Sequence, residues 1–265
     1  MFSDIDWSRP WYASVRDAAS RSDLSGSSVV ETFCQQASAL GLRNHLGLPL
    51  SFVPQAALPE GTAYEEFIGA TGGVPTRDNL HDFFNGLIWL TFPHIKRQLN
   101  ALQAAQIARD GVGKSRGPAR DAATIYDENS ALLVVRDNAE GAALVDALRN
   151  HRWREAFVER RAMFGTDAEV WLFGHALMEK LVAPYKAITA HTRVLLADDG
   201  YFALDPVARR AWIDERETRA LEQDGLSNAG FTPLPVLGIP GWWPQQDDDF
   251  YNDAAVFRPK RTAAA

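Results

Sequence analysis

Side chains that can carry out acid–base or metal chemistry are concentrated in one stretch, PTRDNLHDFFNGLIWLTFP, which runs from Pro75 to Pro93. Within about three helical turns it contains a guanidinium, two carboxylates, an imidazole and an amide. These groups belong to Arg77, Asp78, His81, Asp82 and Asn85. At 100° per residue they fall on one side of a helix. Solubility does not require so many reactive groups on one face, so we treat this face as a candidate site.

The same stretch is predicted to form one helix. Thr76 is a suitable N-cap, and Asp78 lies in the first turn, where the helix dipole favours a carboxylate. Pro93 predicts the end of the helix. The side opposite the polar groups carries an apolar stripe that would pack on a core. This stripe consists of Leu80, Phe83, Phe84, Leu87 and Ile88.

A second helix with reactive side chains is predicted over residues 166–184. His175 and Glu179 are four residues apart on it, as are His81 and Asn85 on the first helix, so the members of each pair share a helical face. If the two helices pack together, the polar faces can form a single site. The candidate catalytic residues are His81, Asp82, His175 and Glu179.

Imidazole and carboxylate groups are also suitable ligands for a divalent metal ion, which is a candidate cofactor. One pair of ligands would come from each helix, and neighbouring carboxylates would complete the set. The candidate metal ligands are Asp78, His81, Asp127, Glu128 and His175. The sequence contains no His-Glu-x-x-His pattern, so the spacing alone does not identify a metal.

Cationic side chains accompany the same segments. If several of them converge, they form a pocket for a small anion such as a phosphate or a carboxylate, which the planar arginine fork binds through two oxygens. The candidate ligand-binding residues are Arg77, Asn85, Arg116, Arg120, Lys186 and His191. A small anionic molecule is therefore the expected binding partner.

Other common catalytic classes are not predicted. Gly113-Lys114-Ser115 ends like a P-loop, but the glycine five positions earlier and the preceding buried strand are missing. No nucleophile elbow, the strand–turn–helix of serine hydrolases, is recognised. The single cysteine, Cys34, lies among helix formers and is typical of a buried, inert thiol.

Composition limits the partners and the compartment. The net charge of -7 and the pI of about 5.4 argue against a nucleic-acid-binding surface. No apolar run reaches the length of a membrane span, and the amino-terminal residues do not read as a signal peptide. With one cysteine and no internal disulfide, we expect a cytoplasmic protein that does not bind membranes. Composition does not define an oligomeric state.

The periodicity of apolar residues predicts a mainly α fold, α+β with at most a small sheet, in a single globular domain. Residues 132–135 form the best strand candidate, whereas residues 188–196 fit either a strand or a helix. Residues 47–63 read as an extended, packed connection. We expect a helical core over residues 1–230 and an ordered, proline-rich arm over residues 231–265 that packs on the core, covers the site helices and lacks regular structure.

Four long motifs occur in a fixed order along the chain. They are PTRDNLHDFFNGLIWLTFP (75–93), RGPARDAATIYDENSALL (116–133), LFGHALMEKLVAPYKAITAH (172–191) and PLPVLGIPGWWPQQDDDFYNDAAVFRP (233–259). With these motifs the chain resembles a bacterial family known as domain of unknown function 3025. Ser130 departs from the glycine expected after Asp-Glu-Asn. The resemblance implies no activity, so the function has to come from the residues.

The sequence is compatible with two functions. The first is a small-molecule enzyme, in particular a metal-assisted hydrolase of a phosphorylated or carboxylated metabolite, in which a metal or a histidine activates water and arginines hold the developing charge. The second is a non-catalytic ligand-binding or scaffold protein. In that case the same polar residues form a buried network that holds the helices together.

Overall fold

The computed structural model describes residues 2–22, 28–110 and 118–260, and within these ranges helices make up 55% and strands 15% of the residues. The prediction of a mainly helical fold with small sheets is therefore confirmed. None of the helices in these three ranges combines the length and the hydropathy that crossing a membrane requires.

The helices and strands follow one another in an irregular order. In chain order they are α1 (Arg16–Ser20), α2 (Val29–Ala39), β1 (Ser51–Pro54), α3 (Tyr64–Thr71), β2 (Gly73–Thr76), α4 (Leu80–Thr91), α5 (Pro93–Asp110), α6 (Pro118–Asn129), β3 (Ser130–Arg136), α7 (Ala139–Arg149), β4 (Ala168–Leu172), α8 (His175–Lys180), β5 (Thr189–Ala197), α9 (Asp199–Phe202), α10 (Pro206–Asp224), β6 (Thr232–Pro235) and α11 (Asp248–Asn252). Single 3-10 turns and one π-helical turn, Glu155–Glu159, lie between them.

A four-stranded sheet organises the second half of the chain, with the strand order β4-β3-β5-β6. Its central strand β3 pairs antiparallel with β4 and parallel with β5. β3 contains the predicted strand 132–135, and β5 shows that residues 188–196 are mainly strand. In the stretch where we expected an extended connection, β1 pairs with β2 as a separate parallel ribbon. The sheet content is therefore small but larger than the sequence indicated.

Helix α4 lies in the core and starts later than predicted. Its N-cap is Asn79, whose side chain accepts a hydrogen bond from the backbone N–H of Asp82, whereas Thr76 is the last residue of β2. Every residue from Asp82 to Thr91 is buried, so protein surrounds the helix on all sides. Buried polar side chains need hydrogen-bond partners, and those of α4, Asp82 and Asn85, must find them inside the protein.

The single helix predicted over residues 166–184 is wrong. The chain first forms β4 on the edge of the sheet, and α8 begins only at His175. Gly174 makes the crossing between them possible, since a Cβ at this position would lie 2.4 Å from the backbone nitrogen of Ser130. His175 is thus placed in the first turn of α8, and Glu179 follows one turn later.

The carboxy-terminal segment contains regular structure, contrary to expectation. Strand β6 pairs antiparallel with β5, and α11 follows it. Pro233 and Pro235 are compatible with the strand because β6 lies at the edge of the sheet, where a missing N–H interrupts no ladder. The segment also contributes buried apolar side chains to the same core as α4. These side chains are Leu234, Val236, Leu237, Ile239, Phe250, Tyr251 and Phe257.

A buried carboxylate from α10 caps α5. Asp214 is 4% exposed, and its oxygens accept hydrogen bonds from the backbone N–H groups of His94 and Ile95 at 3.1 and 2.9 Å. Burial raises the pKa of Asp214 to about 6, although these N–H groups and the nearby His94 ring oppose the rise. Ionising Asp214 therefore costs more in the folded than in the unfolded chain, where its pKa is near 3.8.

This shift makes a pH-dependent contribution to stability. A raised pKa in the folded state stabilises the protein fully below about pH 4, and the contribution is lost as the pH rises through about 6. Relative to Asp214→Asn, the wild-type free energy of unfolding should therefore fall by about 1–3 kcal/mol between pH 4 and 7. Urea unfolding at each pH measures this difference. The exposed Asp224 on the same helix supplies the control, Asp224→Asn, and parallel stability curves for wild type and Asp214→Asn would contradict the prediction.

Candidate functional site

A cavity of about 400 Å³ lies where α3, α4, α5, α6 and α8 meet. It contains side chains from three of the sequence motifs, and these motifs come together only in the folded chain. The predicted residues on its wall are Arg77, His81, Asp82, Asn85, Arg120, Asp127, Glu128 and His175. Side chains that the sequence analysis did not propose also line it, among them Tyr64, Glu65, Gln103 and Thr124.

Two imidazoles from different helices meet at this cavity. The Nε2 atoms of His81 on α4 and His175 on α8 are 3.0 Å apart. The rings are nearly perpendicular, with centroids 4.5 Å apart and an interplanar angle of 81°. His81 is 34% exposed, whereas His175 is almost fully buried. The pair therefore connects the protein interior with the cavity surface.

A carboxylate faces the outer nitrogen of each imidazole. Nδ1 of His81 lies 3.0 Å from Oε2 of Glu179. Nδ1 of His175 lies 3.8 Å from Oδ2 of Asp127, which is too far for a direct hydrogen bond, and none of the described residues is within hydrogen-bond geometry of this nitrogen. Burial lowers the pKa of His175 to about 4, helped by the charge of Lys96 and opposed by Asp127. His175 on its own is therefore a neutral imidazole near pH 7.

Asp127 is held by a buried cation. Nζ of Lys96, on α5, lies 2.6 Å from Oδ1 of Asp127 and donates to Oδ1 of Asn85 at 2.9 Å. Burial on its own would raise the pKa of Asp127, but Lys96 and His175 outweigh it and the pKa is lowered. Asn85 in turn donates from Nδ2 to the hydroxyl of Tyr64 at 3.0 Å. This network fixes the Asp127 carboxylate beside His175.

The two arginines at the cavity differ in whether a carboxylate pairs with them. Arg77 and Asp82 form a bidentate pair, with Nε–Oδ2 and NH2–Oδ1 distances of 2.8 and 3.0 Å. The backbone N–H of Arg77 also donates to Asp82. Arg120 lies on the cavity wall, and within the described ranges it has neither an ion pair nor a hydrogen bond. Arg120 is thus the cation of this wall that is available to a ligand.

The cavity wall formed by α3 and α5 has its own positioning network. Oε2 of Glu65 accepts a hydrogen bond of 2.7 Å from Nδ2 of Asn100, which is 1% exposed. Oδ1 of Asn100 lies 2.7 Å from Nδ1 of His45. Burial raises the pKa of Glu65, while Lys96 opposes the rise. No sequence signal identified Glu65, because a carboxylate in the first turn of a short helix is also typical of a solvated end.

Some predicted residues are not brought to the cavity. The Asp78 carboxylate accepts from the backbone N–H of Val29 at 3.4 Å. Lys186 pairs with Asp253 at 2.8 Å and lies over the ring of Phe250. None of the described residues after Phe231 lines the cavity. That this segment covers the site helices from outside stays a prediction.

Two further predictions concern His191 and Arg116. His191, on β5, contacts Asn129 and Phe231 and does not line the cavity. Arg116 lies outside the described residues. The surrounding letters, Gly-Lys-Ser-Arg-Gly at 113–117, match the spacing of a nucleophile elbow, but the element before them is helix α5 and not the strand that such an elbow requires.

Metal binding was predicted from five side chains. Among the residues that the structure describes, no group of three or more His, Cys, Asp or Glu side chains is arranged to hold a metal ion. The structure does bring two of the candidate ligands, His81 and His175, into direct contact. Asp127 and Glu179 lie at the outer nitrogens of these rings, which is the position of a supporting carboxylate and not of a ligand.

Comparison with known proteins identifies a family but no characterised relative. No curated protein and no solved structure matches the chain. The model of a family described as protein of unknown function (DUF3025) matches residues 50–261, a range that includes every residue lining the cavity. Because this range covers most of the sequence, the chain belongs to the DUF3025 family of proteins of unknown function.

Proposed function

We propose that the chain is a small-molecule hydrolase that acts on a phosphorylated or carboxylated metabolite in this cavity. In this proposal His81 and His175 would hold a divalent metal ion, and Arg120 would bind the anionic group of the substrate. The observation that carries the proposal is the 3.0 Å contact between the two Nε2 atoms, with a carboxylate at the far side of each ring.

The carboxylates determine which nitrogens carry protons. Glu179 accepts from Nδ1–H of His81, and the negative charge of Asp127 favours a proton on Nδ1 of His175. If both Nδ1 atoms are protonated, the two Nε2 atoms present lone pairs to each other at 3.0 Å, and a cation between them would remove this repulsion. Carboxylates behind ligating histidines are also common in metal sites.

The other groups that hydrolysis requires would also be present in the cavity. A divalent ion there would lower the pKa of a bound water and polarise the scissile bond. Two imidazoles leave coordination positions for water and substrate. Arg120, without a carboxylate partner in the described part of the chain, can pair with an anionic oxygen atom. The Asp82 carboxylate keeps Arg77 oriented at the edge of the cavity.

Metal analysis and a substrate panel test this proposal. Protein purified without a histidine tag should contain a stoichiometric divalent metal or take up Zn²⁺, Co²⁺ or Mn²⁺ on titration. The metal-loaded protein should hydrolyse p-nitrophenyl phosphate, bis(p-nitrophenyl) phosphate or p-nitrophenyl acetate at least about 100-fold faster than metal-treated buffer. Absence of uptake together with absence of turnover on all three esters would refute the hydrolase.

A non-catalytic role is the second candidate, and one observation favours it. Most polar side chains of the cavity satisfy each other, as Arg77 does with Asp82 and Lys96 with Asp127 and Asn85. If the histidines only complete this network, His81→Ala should lower the thermal stability markedly. A hydrolase predicts lost activity with little change in stability, because His81 is 34% exposed.

A further inference from the structure

The cavity wall formed by α3 and α5 offers hydrogen-bonding groups that no described residue uses. The Tyr64 oxygen accepts from Asn85, so its O–H remains free to donate. Glu65 is bonded through Oε2 to Asn100, so Oε1 can accept. Gln103 is only 9% exposed, yet its amide makes no hydrogen bond with any part of the chain that the structure describes. An amide that is nine-tenths buried on a cavity wall and has no partner among the described residues is a position at which a bound molecule can supply the hydrogen bond.

The mixture of donors and acceptors limits the chemistry of that ligand. An apolar group would leave Glu65, Tyr64 and Gln103 unsatisfied. An ammonium group donates only, so it would suit Glu65 but leave the Tyr64 O–H and the Gln103 NH₂ without an acceptor. A hydroxyl group both donates and accepts. Neighbouring hydroxyls can therefore donate to Glu65 while accepting from Tyr64 or Gln103, which satisfies all three side chains.

The helices also set the length of the ligand. Lys96, near the start of α5, meets Asp127, near the end of α6, so these consecutive helices run antiparallel along the cavity. Arg120 precedes Asp127 by seven residues on α6. At 1.5 Å per residue, Arg120 is therefore about 10 Å from the histidine end. Gln103 and Thr124 lie on the wall between these two ends.

We infer that the ligand of this cavity is a polyhydroxylated anion of the sugar phosphate class, with its hydroxyl groups on Tyr64, Glu65 and Gln103 and its charged group on Arg120. The inference rests on the proposed function in assigning the cavity to an anionic metabolite. It adds the hydroxyl groups as the feature by which that metabolite is selected.

Isothermal titration calorimetry tests the inference without requiring turnover. The probes are glucose 6-phosphate, ribose 5-phosphate, inorganic phosphate and phosphoethanolamine. At least one sugar phosphate should bind about tenfold or more tightly than inorganic phosphate, the gain expected from one or two added hydrogen bonds. Phosphoethanolamine should bind no more tightly than inorganic phosphate. The inference is overturned if neither sugar phosphate exceeds inorganic phosphate, or if phosphoethanolamine binds more tightly than both.

Variants of Glu65 and Gln103 test whether this wall provides the preference for a sugar phosphate. Glu65→Gln and Gln103→Ala should each lower the affinity for the sugar phosphate about tenfold and leave that for inorganic phosphate within about twofold. Glu66→Gln, at the neighbouring exposed position, is the matched control and should change neither affinity. If both cavity variants bind the sugar phosphate like wild type, the hydroxyl groups do not lie on this wall and the inference fails.

The two proposals can fail separately. Tight, variant-sensitive binding of a sugar phosphate by a protein without metal or turnover would remove the hydrolase and keep the subsite. Metal-dependent hydrolysis of nitrophenyl esters without any preference for sugar phosphates would keep the hydrolase and remove the subsite.

Discussion

A chain that ends at residue 230 will not fold. The lost segment supplies strand β6 and seven apolar side chains that are each at most 6% exposed, from Leu234 to Phe257. Burial of a large apolar side chain contributes about 1.5–3 kcal/mol, so their joint loss is about 10 kcal/mol or more. That is comparable to the whole stability of a typical domain, about 5–15 kcal/mol. The truncated protein should be insoluble or lack a cooperative thermal transition.

Point variants separate core packing from the simple loss of chain length. Leu237→Ala removes a fully buried side chain from this segment and should lower the free energy of unfolding by about 2–5 kcal/mol in urea titrations. Val207→Ala, at a position that is 61% exposed, is the control and should change it by about 0.5 kcal/mol or less. A soluble, monomeric truncation product that melts at the wild-type temperature would show that the segment is only an appendage.

Local signals in the sequence account for the starts of several helices. Ser28 before α2 and Asp205 before α10 are cap residues, and their side chains accept backbone hydrogen bonds from the first turn. The start of α4 was misplaced because Thr76 and Asn79 are both acceptable caps. Only the pairing of Thr76 in β2 decides between them.

Strands that depend on distant partners were harder to predict. β4 contains Trp171 and Leu172 within a pattern that also fits a helix, and its conformation is set by pairing with β3. β6 contains two prolines, which normally argue against a strand. An edge position tolerates them, but the sequence does not show which strand lies at an edge. Non-local pairing therefore explains both errors.

The residues of the candidate site also fall into two groups, those that local spacing identified and those whose role depends on contacts with distant residues. The i,i+4 spacing pointed to His175 with Glu179, and the dense polar face pointed to His81. The structure brings these three side chains together. Lys96 and Glu65 take part through contacts with residues 31 and 35 positions away. Their roles depend on how α3, α5 and α6 pack, which residue spacing within one helix does not report.

Replacing either histidine of the pair will abolish metal binding while the fold persists. Each imidazole supplies one of the two nitrogens that face each other at 3.0 Å, so one histidine alone leaves a site with a single protein ligand among the described residues. His81→Gln and His175→Gln should each weaken Co²⁺ binding by at least about 100-fold. The absorption of bound Co²⁺ measures this change. Glu179→Gln, which removes only the supporting carboxylate of His81, should weaken it about 10–100-fold.

The control is His94→Gln, because His94 is 49% exposed and lies outside the cavity beside Asp214. It should bind Co²⁺ like wild type, and circular dichroism should show that all four variants keep the wild-type helix content. The alternative is a proton on one Nε2 atom that is donated to the other. In that case wild type and both histidine variants bind Co²⁺ equally weakly, and ¹⁵N spectra of the wild type show one protonated Nε2 hydrogen-bonded to the other ring, a signal that His175→Gln removes. That combination would refute the metal site, because the proton alone would then account for the 3.0 Å contact.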